Sequence, residues 1–104
     1  MEAGAASRRL AGLPRVEVIG FEVPVAETLA ARLLGLSLLD AESAGPGLLI
    51  PRCTSVHTFG MRFALDLVFL DGEGCVVELR RDVPPWRVVR ARSADSVLEL
   101  VPAG

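Results

Sequence analysis

Four amino acids are missing from this chain of 104 residues: it has no lysine, tyrosine, asparagine or glutamine, and all 11 basic residues are arginine. Without lysine there is no Schiff-base chemistry and no phosphate loop ending in Gly-Lys. Arginine still offers planar, permanently charged forks for carboxylate or phosphate. Loss of asparagine and glutamine fits heat adaptation, but a codon-composition bias toward Arg, Ala, Gly and Pro accounts for it more simply. Cysteine is scarce: Cys53 and Cys75 stand alone, and neither has a second cysteine at metal-knuckle spacing. A disulfide between them stays open, the default for a cytosolic protein being two free, largely buried thiols. His57 is the only histidine, so Cys and His together supply three ligands where a structural zinc needs four. No metal and no cofactor are expected.

A strong excess of charge of either sign is also missing, with 11 basic residues against 13 acidic and a formal net charge of −2. That balance gives no global basic field for nucleic acid or an anionic membrane. The hydrophobic fraction of 51% excludes disorder as the dominant state and can fill one core. The longest stretches free of charged residues, 43–51 and 53–61, hold nine residues each, against about 20 needed to span a bilayer. Arg8 and Arg9 are not followed by the apolar run of a secretory signal. The expected location is the cytoplasm, with no membrane partner. Residues 1–14 read as a flexible N-terminal tail and 15–104 as a single compact domain.

Patterning predicts mostly strands. Residues 15–23 alternate apolar and polar with an imperfection near Val18–Gly20, as in a bulged strand. Pro24 stops it. Leu29, Leu33 and Leu36 fall on one face of a helix over 26–36, with Gly35 near its end; 37–47 reads as a loop. Short strands follow at 47–50, 53–59 and 64–70. The turn Asp71-Gly72-Glu73-Gly74 leads into 75–80, where Cys75, Val77 and Leu79 are expected to face inward. Residues 86–91 and 96–101 are further strand candidates, the second ambiguous with a short helix. The expected class is α+β, mostly β: a small antiparallel barrel-like or sandwich-like sheet of about six strands with one packed helix.

Asp66 is the most informative residue, a lone carboxylate inside Phe63-Ala64-Leu65-Asp66-Leu67-Val68-Phe69-Leu70. Its burial requires hydrogen bonds, an arginine partner or a proton, and the simplest role is to tie a neighbouring loop through backbone N–H groups. Cys53, His57 and Asp66 invite a nucleophile–base–orienter reading. However, four extended residues separate Cys53 from His57 by about 13 Å, so they meet only across a turn. Arg80, Arg81, Arg87, Arg90 and Arg92 cluster beside Trp86. Such a strip can bind single-stranded nucleic acid, but one aromatic is a poor platform and Asp82 dilutes the charge. A solvated face of arginine stems is the simpler reading.

The ordered combination of Arg32-Leu-Leu-Gly-Leu36, Gly47-Leu-Leu-Ile-Pro51, Cys53-Thr-Ser-Val-His-Thr-Phe-Gly-Met61, Leu65-Asp-Leu-Val-Phe-Leu-Asp-Gly-Glu-Gly74 and the ending Ser96-Val-Leu-Glu-Leu-Val-Pro-Ala-Gly104 resembles the domain-of-unknown-function 192 family, also called uncharacterised protein family 0127. His57 falls where many relatives carry Trp, Asp66 falls on the family Asp, and Val101 is an insertion in the usual ending. Many relatives continue with a short helix and another strand. The resemblance implies a small, mostly β fold and no established activity or catalytic residues. The expected function is a non-catalytic binding or accessory module for a small molecule or protein, with a cleft of Cys53, His57, Thr58, Met61, Arg62 and Asp66. The alternatives are a hydrolase-type enzyme using Cys53 or His57, and nucleic-acid or anion binding through Arg80, Arg81, Arg87 and Arg90. Nucleic acid is disfavoured as a partner, and nothing in the sequence specifies the oligomeric state.

Overall fold

The computed structural model describes residues 10–102, with the Leu29 side chain excepted. Residues 1–9 of the tail expected over 1–14, and the terminal Ala103 and Gly104, lie outside the described residues. Leu10 and Leu13, by contrast, pack against the core. Eight strands and two short helices follow in the order β1 (Arg15–Val18), β2 (Phe21–Pro24), α1 (Leu29–Leu34), α2 (Ala41–Ala44), β3 (Gly47–Pro51), β4 (Ser55–His57), β5 (Leu65–Leu70), β6 (Val76–Val83), β7 (Val88–Arg90) and β8 (Ser96–Leu100). They form three antiparallel sheets: β1–β2, the four-stranded β3–β8–β5–β6, and β4–β7. The mostly β class is as expected; the counts are higher by two strands and one helix.

The four-stranded sheet is buried on both faces along its middle. Leu65, Leu67 and Phe69 of β5 join Val97, Leu48 and Ile50 in the larger core, beneath Ala31, Leu36 and Leu39. Val68, Leu70, Leu98 and Leu100 point to the opposite face and pack with Val23. A central strand covered on both sides reads as a nearly continuous apolar run, which is the pattern of residues 64–70.

Several local expectations are corrected. The imperfection at Val18–Gly20 is a two-residue hairpin turn, because Val18 pairs with Phe21 and Ile19 and Gly20 both have positive φ, 42° and 90°. Two positive φ values match the right-handed twist of the flanking strands. The predicted three-turn helix shrinks to six residues, capped by Thr28 Oγ1 accepting from the Ala31 N–H at 3.0 Å. Among its described side chains Ala31 is buried, while Leu33 is exposed. The loop over 37–47 contains α2. The segment 96–101, ambiguous between strand and helix, is a strand over Ser96–Leu100. The 71–74 turn is present, with Asp71 Oδ1 accepting from the N–H groups of Glu73 and Cys75, each at 2.9 Å.

The inward face assigned to residues 75–80 is also corrected. β6 is the sheet edge, so Cys75, Val76, Val77 and Leu79 are all exposed. Its register against β5 slips twice, between Leu65 and Leu67 and between Phe69 and Leu70. Bulges and charged residues on an edge discourage pairing with other chains; here Arg80 pairs with Glu78.

Candidate ligand-binding site

Register on β8 sets the site. Glu99 lies opposite Leu48 of β3 and Leu67 of β5, so its side chain shares the larger-core face with Val97. It is 3% exposed. Its carboxylate accepts the Leu36 N–H, but Oε1 has no hydrogen-bond partner among the described residues. Burial pushes this carboxyl up from 4.5 to about 7, against the pull of the Leu36 N–H. Burial disfavours the ionised form because water can no longer solvate it.

A cavity of about 210 Å³ opens beside Glu99, with Arg32, Gly35, Cys53, Ser55 and His57 on its polar lining. Ile50 and Val56 supply apolar wall. Gly35 ends α1 with φ 54° and ψ −128°, a conformation open to glycine at little cost. The turn it makes places the next residue's N–H on Glu99. Arg32 donates to the carbonyls of Pro51 and Arg52 at 2.5 and 3.2 Å, fastening α1 to the end of β3. The Cys53 thiol donates to the Ser55 carbonyl at 3.1 Å. His57 Nδ1 accepts the Phe59 N–H at 3.2 Å, which assigns the proton of a neutral ring to Nε2.

The structure disperses most of the residues expected in one cleft. Of Cys53, His57, Thr58, Met61, Arg62 and Asp66, only Cys53 and His57 line the Glu99 cavity. Thr58 and Met61 are buried, and Arg62 pairs with Asp40 at 3.2 Å on the surface. Asp66 lines a second cavity of about 420 Å³ with Ile19, Phe21, Leu79 and Arg81. This lies on the opposite face of the four-stranded sheet, because Asp66 alternates with Leu65 and Leu67. The half-buried Asp66 accepts the Asp82 N–H at 2.9 Å, tying the bulge where Asp82 has φ 53°.

Arg80, Arg81 and Arg87 border a third, shallower depression with Pro84 and Val88, and Arg90 is not on its lining. Cys53 and Cys75 are free, the first half-buried and the second exposed, so the expectation of two buried thiols is corrected for Cys75. Among the described residues no group of three or more His, Cys, Asp and Glu is placed to hold a metal. Nor is any helix there long and apolar enough to cross a membrane.

Sequence reasoning missed Glu99 as a site residue. The signal was present: Val97-Leu98-Glu99-Leu100-Val101 isolates a carboxylate in an apolar strand just as the segment around Asp66 does.

These features define a small, mostly β protein whose central sheet holds a buried carboxyl beside a cavity. The family model described as DUF192, Uncharacterized ACR, matches residues 15–104, and the chain belongs to that family. No curated protein matches it. A crystal structure of a protein of unknown function from Novosphingobium aromaticivorans DSM 12444 is similar in fold, with a TM-score of 0.60 and 17% identity over 96% of this chain and 86% of that one.

Proposed function

We propose that this protein is a non-catalytic binding module taking a small molecule with a hydrogen-bond-donating head in the Glu99 cavity. The observation that carries this reading is Glu99 Oε1, buried and unpartnered at a cavity bordered by Arg32, Cys53, Ser55 and His57. A buried acceptor without a donor costs about 1–3 kcal/mol, and a ligand donor would recover that. Three segments on which the family resemblance rests, those of Arg32 and Gly35, of Cys53 and His57, and of Glu99, converge there. The cleft is therefore proposed around His57 and Glu99, with Asp66 in a separate cavity behind the sheet. Residues 15–104 are taken as one domain. The free thiols fit a reducing compartment, and the cytoplasm is the proposed location.

The test is a nuclear magnetic resonance titration with simple donors: ethylammonium, acetamide, urea and glycerol. Saturable shifts at the Leu36 amide and the His57 ring, lost in Glu99→Gln, are expected for at least one. Shifts confined to the Asp66 cavity, or none with any donor, refute the reading.

A second reading, a hydrolase-type enzyme using Cys53 or His57, is favoured by one observation: both side chains line the same cavity. It requires a thiolate reactive near neutral pH. Alkylation of Cys53 no faster than a free peptide thiol removes it for that cysteine.

A further inference from the structure

The two-stranded ribbon β4–β7 has an outward face that meets the Glu99 cavity at Ser55 and His57 and extends beyond it to Phe59, Trp86, Val88 and Arg90. Ser55 pairs with Arg90 and His57 with Val88. Beyond the strands the ladder continues: the Thr58 N–H donates to the Arg87 carbonyl at 2.8 Å and the Trp86 N–H to the Thr58 carbonyl at 3.2 Å. Val56, Thr58 and Val89 face the interior. By alternation, Ser55, His57 and Phe59 on one strand, and Arg90, Val88 and Trp86 on the other, share the outer face. Three rings meet there: His57 and Phe59 centroids lie 5.0 Å apart, and Phe59 and Trp86 5.6 Å.

Trp86 is 70% exposed and has φ 69°, a conformation that a bulky residue adopts only under constraint. The constraint is Thr58, fully buried, whose Oγ1 donates to the Pro84 carbonyl at 2.7 Å and accepts the Arg87 N–H at 2.8 Å. One interior hydroxyl thus braces both sides of the strained residue, and what the brace presents is an indole ring in solvent. Between residues 80 and 92 there are five arginines and a single acid, Asp82. Arg81, Arg87, Arg90 and Arg92 form no ion pair among the described residues, in contrast to Arg80.

We infer that this face binds single-stranded nucleic acid, with a base stacked on Trp86 and the phosphates set against Arg90 on the same face and against Arg81 and Arg87, which border a depression beside Val88. Along the chain Trp86 stands as a lone aromatic; folding brings Phe59, and His57 behind it, to its side. Stacked rings beside unneutralised cations are what a single strand exploits, since its bases are open and its backbone is charged. A neutral glycan would leave the arginines without partners, and an acidic peptide would leave the indole face unused.

Trp86 is the only tryptophan, so its fluorescence reports the contact directly. Titration with a short oligothymidine at low salt should give saturable quenching. The affinity should fall with salt at a log–log slope of about −0.7 for each phosphate neutralised. Trp86→Ala, followed by anisotropy of a labelled strand, should weaken binding roughly tenfold, and Arg90→Ala should flatten the salt slope. Glu99→Gln should leave this binding unchanged, which separates the inference from the cavity reading. No quenching at low salt overturns it. So does equal quenching by a duplex, by maltohexaose or by polyglutamate, the last two assigning the face to a glycan or an acidic protein.

Discussion

Gly35 closes over the carboxyl of Glu99: a β-carbon at Gly35 would sit 2.8 Å from Glu99 Oε1. The helix end and the sheet therefore meet so closely that a side chain at position 35 would have to push the Glu99 carboxyl aside. Leu36, the next residue, supplies the N–H that the carboxylate accepts.

Gly35→Ala should destabilise the protein by about 2–4 kcal/mol, combining a left-handed backbone strain with a collision against a buried side chain. Urea denaturation measures it. In a Glu99→Ala background the same substitution should cost less, because the collision is gone and the strain remains. Equal costs in both backgrounds would show that the contact carries no energy.

Glu99 should make stability depend on pH. Its folded pKa, about 7, lies above the unfolded value of 4.5, so between these values the folded state holds a proton that the unfolded chain releases. This contribution is complete below about pH 4.5 and lost as pH rises to about 7. It amounts to about 3 kcal/mol at 1.36 kcal/mol per pKa unit. The Tm of wild type minus that of Glu99→Gln should fall from pH 5 to pH 8. A flat or rising difference contradicts the burial argument.

Asp66→Ala should cost about 1 kcal/mol, because it removes an acceptor from the Asp82 N–H in a half-exposed setting. Asp82→Gly, by contrast, should be neutral or stabilising by a few tenths of a kcal/mol, since glycine adopts positive φ freely and keeps the N–H that Asp66 accepts. Denaturation midpoints decide both. An unchanged midpoint for Asp66→Ala means that the bulge holds without its tie.

Much of the strand pattern was legible in the residues. The apolar run through β5 announces burial on both faces, the Asp71–Gly74 turn announces the β5–β6 hairpin, and a carboxylate at position 66 announces a required partner. The Ile19–Gly20 turn was hidden because a β-branched residue is a poor signal for positive φ. The exposure of Val77 and Leu79 was hidden because alternation marks a strand without saying whether it lies at a sheet edge.

Chain composition alone settled which chemistries were closed to this protein, the lysine-dependent ones, and local periodicity settled that it would be mostly β, because side-chain alternation is a property of neighbouring residues. Which charged groups would share a site was settled by packing. Arg32, His57 and Glu99 come from α1, β4 and β8, and strand register turns Asp66 and Glu99 to opposite faces of one sheet. Register and long-range contact are relations between distant segments, and the spacing of residues along a chain does not encode them.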